Sequence, residues 1–158
     1  MSPAFFAANA GKCACISLES TVRLGNPKFL AVAVQDFVRG ESLRAVYCRR
    51  IRQLIVAHPE FSFRRRRCEN PSGWIVDTMR AVLQALLETD SYESCIVDVT
   101  SRGGDADTTG AIAGMLAGAH YGFDSLPLRW RKALDPAVHQ ACQDQARALV
   151  GCPSVGGK

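Results

Sequence analysis

Apolar residues recur at intervals of three or four positions along most of this chain, which is the spacing that one face of an α-helix requires. The segment before His58-Pro59 shows the pattern most fully, with apolar residues at Leu43, Val46, Tyr47, Ile51, Leu54 and Ile55. Pro59 ends this segment, because a residue that precedes proline is disfavoured in the helical region. Nearly every other periodic segment has the same spacing, so we predict a mainly α-helical fold.

The 158 residues suffice for one domain with a sizeable core. Further helices are expected over residues 27–39, 74–88, 92–99, 109–121 and 136–150. A polar, basic loop is expected over 59–71. The run Cys95–Val99 also fits a strand, and so short a run leaves that alternative open. Residues 1–26 show no sustained period, and residues 151–158 are expected to form a tail.

Three glycines fall four positions apart in the helix expected over 109–121, at Gly110, Gly114 and Gly118. Each glycine costs a helix about 1 kcal/mol relative to alanine. Three glycines on one stripe of the helix therefore predict that the backbone of another segment approaches this helix very closely. We expect this contact within the core of a soluble helical protein.

The net charge of +4 is mild, but the charges are unevenly placed. Four of the 19 basic residues form the run Arg64–Arg67, and Arg49, Arg50 and Arg52 lie nearby in sequence. Such a run can bind nucleic acid or a phosphorylated ligand. Because no aromatic or glycine pattern of a nucleic-acid module accompanies it, we expect a solvated loop and no nucleic-acid partner.

The seven cysteines are scattered, and no pair has Cys-x-x-Cys spacing, so a structural zinc site is not expected. We expect most of them to be reduced thiols in a cytoplasmic protein. The first residues lack the basic start and long apolar run of a secretion signal. No apolar stretch reaches the length of about 18 residues that predicts a membrane-spanning helix.

A glycine pair, two carboxylates and a hydroxyl group follow one another in a single predicted loop, at Gly103, Gly104, Asp105, Asp107 and Thr108. These hard oxygen ligands favour magnesium, manganese or calcium over zinc. The glycines allow a tight turn and a close approach to a ligand, and the helix start that follows can seat a phosphate. A simpler interpretation, in which Asp107 or Thr108 only caps the helix, stays open.

The same loop opens a segment, Gly103–Ala119, that resembles the C-terminal signature of the ADP-ribosylglycohydrolase family. Ser72–Met79 resembles the family's glycine-aromatic-valine-valine-aspartate-threonine segment. Further likenesses follow in the family's order at Thr89–Cys95, Tyr121-Gly122, Leu126-Pro127 and Trp130. The resemblance is strong over 72–130 and extends to about residue 27, and it is nearest to the nitrogen-fixation branch of the family.

This resemblance implies an all-α, compact orthogonal helical domain, corresponding to the C-terminal part of the family fold. It also implies two Mg²⁺ or Mn²⁺ ions and hydrolysis of the N-glycosidic bond between ADP-ribose and an arginine of a modified protein. Asp105 and Asp107 would be catalytic and, with Thr108, would bind metal. Gly103 and Gly104 would lie along the ADP-ribose, and Trp74 would lie near the bound nucleotide.

The chain also departs from the family pattern. The family's N-terminal threonine-aspartate-aspartate motif, which supplies the other metal ligands, does not occur in the sequence. Ser101 replaces the asparagine that usually precedes the loop. We therefore expect a partial member of the family over 27–150, with a poorly matched segment over 1–26. It would be either a truncated hydrolase or a catalytically inactive remnant that binds ADP-ribose or a partner protein.

Overall fold

The computed structural model describes residues 28–64 and 66–151, and all regular structure in these ranges is helical. The α-helices are α1 (Lys28–Val38), α2 (Leu43–Val46), α3 (Arg52–Ala57), α4 (Ile75–Glu88), α5 (Tyr92–Ser101), α6 (Ala106–Tyr121), α7 (Leu128–Ala133) and α8 (Pro136–Gly151). Short 3₁₀ turns lie at Pro59–Phe61 and Phe123–Ser125. The predicted all-α class is confirmed, and Cys95–Val99 is helical rather than a strand. The boundary predicted at residue 26 lies outside the described residues, as do residues 152–158 of the predicted tail 151–158, whereas Gly151 still belongs to α8.

Short polar side chains begin several of these helices. Ser91 and Ser94 form a reciprocal capping box at the start of α5. The Asp135 carboxylate accepts hydrogen bonds from the backbone N–H groups of Ala137 and Val138, at 2.8 and 3.2 Å, and Pro136 follows it at the start of α8. These caps satisfy N–H groups that have no partner within the helix. The helix starts predicted at Ser91 and Asp135 are confirmed.

A π-helical stretch, Tyr47–Ile51, joins α2 to α3 into one continuous helix. The backbone N–H of Arg52 donates to the carbonyl oxygen of Tyr47, which is the five-residue spacing of a π turn. This turn brings residues five apart onto one face, and Val46 and Ile51 are both buried at 1% exposure. The sequence predicted a single helix here but gave no sign of the wider turn.

Helix α6 lies at the centre of the larger of two compact units, which ends at Ser125, and contacts α1, α4 and α5. Helix α4 is buried on nearly all sides, through Val76, Thr78, Met79, Ala81, Val82, Leu83, Gln84, Ala85 and Leu86. It is therefore a core helix, as its wide apolar stripe predicted. The other unit begins at Leu126 and contains α7 and α8. No helix in the described ranges is both long and apolar enough to cross a bilayer.

The residues between α3 and α4 are more buried than the sequence predicted. Phe61, Phe63 and Cys68 belong to the core, so this stretch is not simply a polar loop. Among the arginines of the run, Arg67 binds Glu69 and Asp98, each at 2.6 Å. Arg64 and Arg66 are exposed, and Arg67 remains 47% exposed, so the described residues of the run face solvent although Arg67 is paired.

The glycine stripe of α6 faces side chains of α5 rather than its backbone, which corrects the prediction of a very close backbone approach. A Cβ atom added at Gly114 would meet the hydroxyl of Tyr92 at 3.6 Å and Cδ1 of Ile96 at 3.8 Å, both ordinary contacts. At Gly110 the added atom would lie 3.0 Å from Cγ2 of Thr100, which is tighter. Only the Gly110 position is therefore crowded by its neighbour.

We expect Gly114→Ala to raise the free energy of unfolding by roughly 0.5–1 kcal/mol, because alanine is the better helix former and its methyl group fits the available space. Gly110→Ala should raise the free energy of unfolding by a smaller amount, since the Thr100 methyl group must move aside. Urea unfolding of both variants measures the difference. A loss of stability in Gly114→Ala would show that the helices pack more closely than described.

Candidate functional site

The loop between α5 and α6 is short and strongly turned. Gly103 and Gly104 both adopt left-handed conformations, with φ of +79° and +63°. Helix α6 begins at Ala106, three residues earlier than predicted, so Asp107 and Thr108 lie in its first turn. The helix N-cap is Asp105 rather than Asp107 or Thr108. Its Oδ1 accepts a long hydrogen bond of 3.5 Å from the N–H of Thr108.

A second segment, Asn70–Gly73, packs directly on this loop. The N–H of Asn70 donates to the carbonyl oxygen of Arg102 at 2.9 Å, and the N–H of Asp105 donates to that of Pro71 at 2.8 Å. A Cβ atom on Gly104 would lie only 2.2 Å from the Pro71 carbonyl oxygen. The glycines are thus required by contact between two chain segments. The sequence analysis placed Asn70 and Pro71 at the end of the basic loop over 59–71 and did not assign them to the site.

Segment Asn70–Gly73 also brings the start of α4 to the loop. A Cβ atom on Gly73 would lie 3.0 Å from Oδ2 of Asp105, so this carboxylate faces the glycine. Trp74, the N-cap residue of α4, follows at once, and its side chain is 56% exposed. The Ser72 hydroxyl donates to Oδ2 of Asp77 at 2.9 Å and orders the turn. The predicted site residues Trp74 and Asp105 therefore belong to adjoining segments.

The carboxyl groups of Asp105 and Asp107 interact with each other. A hydrogen bond with the Asp105 side chain, followed by backbone hydrogen bonds at Thr108 and Asp107, lowers the pKa of Asp107 below its usual value. When both groups are ionised their charges repel, and a cation placed between them relieves that repulsion. Asp107 and Thr108 are exposed, so both are accessible to a ligand from solvent.

The available donors are two carboxylates and one hydroxyl, all hard oxygen ligands that suit Mg²⁺ or Mn²⁺. Within residues 28–64 and 66–151, no group of three or more His, Cys, Asp or Glu side chains is placed to hold a metal ion. The donor set thus fits a hard cation in chemistry but provides too few charged ligands for two ions.

Beneath the loop lies a buried arginine that the sequence did not indicate as functional. The Arg102 guanidinium donates to Oδ2 of Asp98 and to Oε1 of Gln84, the latter at 2.7 Å. Its side chain is 0% exposed, and its own carbonyl oxygen accepts the hydrogen bond from Asn70. Arg102 therefore joins the loop to both α4 and α5.

Comparison with known proteins gives one family and several relatives. A family model described as ADP-ribosylglycohydrolase matches residues 6–154. The chain is 41% identical over 118 residues to ADP-ribosyl-[dinitrogen reductase] glycohydrolase of Rhodospirillum rubrum, which covers 74% of this chain and 39% of the relative. It is 29% identical over 118 residues to ADP-ribosylarginine hydrolase Tri1 of Serratia proteamaculans, covering 72% and 31%.

A shorter match has a higher percentage of identical residues. The chain is 51% identical over 57 residues to ADP-ribosylhydrolase ARH3 of Danio rerio, covering 36% of this chain and 15% of the relative. Across these matches the chain spans well under half of each relative's length. The likeness to this family that the sequence motifs predicted is confirmed.

Proposed function

Because this chain belongs to the ADP-ribosylglycohydrolase family, we propose that it carries part of a site that hydrolyses the bond between ADP-ribose and an arginine side chain of a modified protein. The observation that carries the proposal is the position of Asp105, which caps α6 and faces Gly73 beside Trp74, with Asp107 in the first turn of the same helix. The relative from Rhodospirillum rubrum suggests dinitrogenase reductase as one such substrate, which would place the protein in the cytoplasm.

In this proposal each site residue has a defined task. Asp105 and Asp107 bind the metal through carboxylate oxygens, and the Thr108 hydroxyl is a third donor. Mg²⁺ or Mn²⁺, when bound by such oxygens, orients substrate hydroxyl groups and lowers the pKa of a water molecule. Gly103 and Gly104 lie along the diphosphate and ribose and offer backbone groups to them, since the positions that side chains would take at these glycines are filled by Asn70 and Pro71. Trp74 offers an exposed indole face for the nucleotide.

Calorimetric titration with Mn²⁺, and then with ADP-ribose in the presence of Mn²⁺, tests the site. We expect both to bind the wild type, and Asp107→Ala to weaken Mn²⁺ binding by at least about tenfold, since even residues that only support a ligand contribute about 10–100-fold. Asp124→Ala, which removes an exposed carboxylate outside the site, is the matched control and should bind like the wild type. If neither Mn²⁺ nor ADP-ribose binds the wild type, the proposal is wrong.

A second candidate function is binding without turnover. It is favoured by the small donor set, since no group of three or more His, Cys, Asp or Glu side chains in the described part of the chain is placed to hold a metal ion. The two candidates differ in one measurement, the release of ADP-ribose from a protein ADP-ribosylated on arginine. Binding of ADP-ribose without such release would support the binding module over the hydrolase.

A further inference from the structure

The Arg102 side chain is fully buried although it carries a charge, and burial of a charge is tolerated only when it is paired and hydrogen-bonded. Its Nε donates to Oδ2 of Asp98 at 3.0 Å, and its Nη2 donates to the same oxygen at 2.5 Å. Nη1 donates to Oε1 of Gln84 at 2.7 Å and to the carbonyl oxygen of Cys68 at 3.4 Å. The planar guanidinium therefore contacts three separate parts of the chain at once.

Gln84 extends this network to the irregular stretch before the site. Its Nε2 donates to the carbonyl oxygens of Phe63 and Arg66, at 2.6 and 2.7 Å, and its Oε1 accepts from the N–H of Cys68 at 2.9 Å. This stretch has no helical partners for its backbone groups, so the buried amide satisfies them instead. Gln84 and Arg102 together hold the chain that leads into Asn70.

Asp98 completes the network from α5. Burial acts to raise the pKa of Asp98, but hydrogen bonds from Arg67 and Arg102 outweigh it and keep the pKa below its usual value. The carboxylate is therefore ionised at neutral pH and balances the charge of Arg102. Arg67 binds the same carboxylate at 2.6 Å from the surface, where its side chain is 47% exposed.

We propose that Arg102 is a positioning residue for the candidate site. Through Asp98 and Gln84 its side chain fixes the point at which the loop leaves α5, and through its carbonyl oxygen it holds Asn70. The loop that carries Asp105 and the segment Asn70–Gly73 are thereby held in fixed positions relative to each other. The role of Arg102 in ligand binding rests on the proposed function, whereas its role in ordering the loop does not.

Arg102→Lys tests the proposal, because lysine keeps the charge but cannot reach Asp98 and Gln84 with one planar group. Amide hydrogen exchange is measured by NMR on the full chain without ligand. We expect the amides of Asn70 and Asp105 to exchange roughly tenfold faster or more than in the wild type. The amide of Val46, which donates to the carbonyl oxygen of Ser42 at the start of α2, should be unchanged.

Arg67→Lys is the matched control, since Arg67 binds the same carboxylate from the surface and does not touch the loop. It should leave the Asn70 and Asp105 amides near their wild-type rates. Asp98→Glu, which keeps the charge that balances Arg102 but shifts the carboxylate by one methylene group, serves as a second variant if Arg102→Lys does not fold, and should show the same local pattern.

Mn²⁺ titration of the same variants separates this inference from the proposed function. Local loosening with weaker Mn²⁺ binding in Arg102→Lys supports the positioning role. Unchanged exchange at Asn70 and Asp105, or equal acceleration at Val46, overturns it even if Mn²⁺ binds. Absence of Mn²⁺ binding in the wild type overturns the proposed function and the part of Arg102 in ligand binding, while the exchange rates still decide whether Arg102 orders the loop.

Discussion

Gly104→Ala is expected to lower the free energy of unfolding by about 3 kcal/mol or more and to remove Mn²⁺ binding. The left-handed φ of +63° strains any residue with a side chain. In addition, the new methyl group would lie 2.2 Å from the carbonyl oxygen of Pro71 and 2.7 Å from the carbonyl carbon of Asn70. Both are backbone atoms, so they cannot move aside as a flexible side chain would. The two segments must separate.

Gly40→Ala is the matched control for this variant. Gly40 has a φ of +84°, but a Cβ atom there meets nothing within 4 Å. In Gly40→Ala the free energy of unfolding should therefore fall only by the backbone strain energy, about 1–2 kcal/mol. This variant should bind Mn²⁺ like the wild type. Urea unfolding and calorimetry measure both quantities. Equal losses in the two variants would show that Gly104 does not press against Pro71 as described.

Asp105→Asn is expected to abolish or strongly weaken Mn²⁺ binding while leaving the thermal midpoint of unfolding nearly unchanged. Asparagine caps a helix about as well as aspartate, so α6 keeps its start. The substitution replaces a charged ligand with a neutral amide oxygen, and we expect Mn²⁺ affinity to fall by at least about tenfold. Calorimetry and thermal unfolding on the same sample separate the two effects.

Asp135→Asn provides the matched control, because Asp135 caps α8 in the same way and is remote in sequence from the site loop. It should retain both Mn²⁺ binding and stability. Retained Mn²⁺ binding in Asp105→Asn would instead show that Asp105 caps the helix and does not bind the ion.

Local patterns predicted most of the helices, but not the short α7 over Leu128–Ala133. The spacing of apolar residues located α4, and Ser91 and Asp135 indicated where α5 and α8 begin. The start of α6 was placed too late because the glycine pair suggested a longer loop. The π turn was missed because Tyr47 and Ile51 are also compatible with regular helical spacing.

The site was predictable as far as its two motifs reach, one with Asp105 and Asp107 and the other with Trp74, but neither motif shows that the two segments are in contact. The motif indicated Asp105 and Asp107 together, but the contact of Gly104 with Pro71 joins residues more than thirty positions apart. The bond between Arg102 and Gln84 likewise spans two helices. Such pairs depend on how helices pack, and a single sequence contains no local signal for them.

The main chain and the side chain of Asp105 are held very differently. Its N–H donates to Pro71 at 2.8 Å, and its carbonyl oxygen accepts from the backbone and hydroxyl of Thr109 at 3.1 and 2.6 Å. Its carboxylate accepts a long bond of 3.5 Å from the backbone N–H of Thr108 and interacts with the Asp107 carboxyl group. Rotation of that side chain toward an ion therefore leaves the hydrogen bonds of the Asp105 main chain in place. Association at this position would be governed by diffusion and by exchange of water on the ion, with no loop closure to wait for.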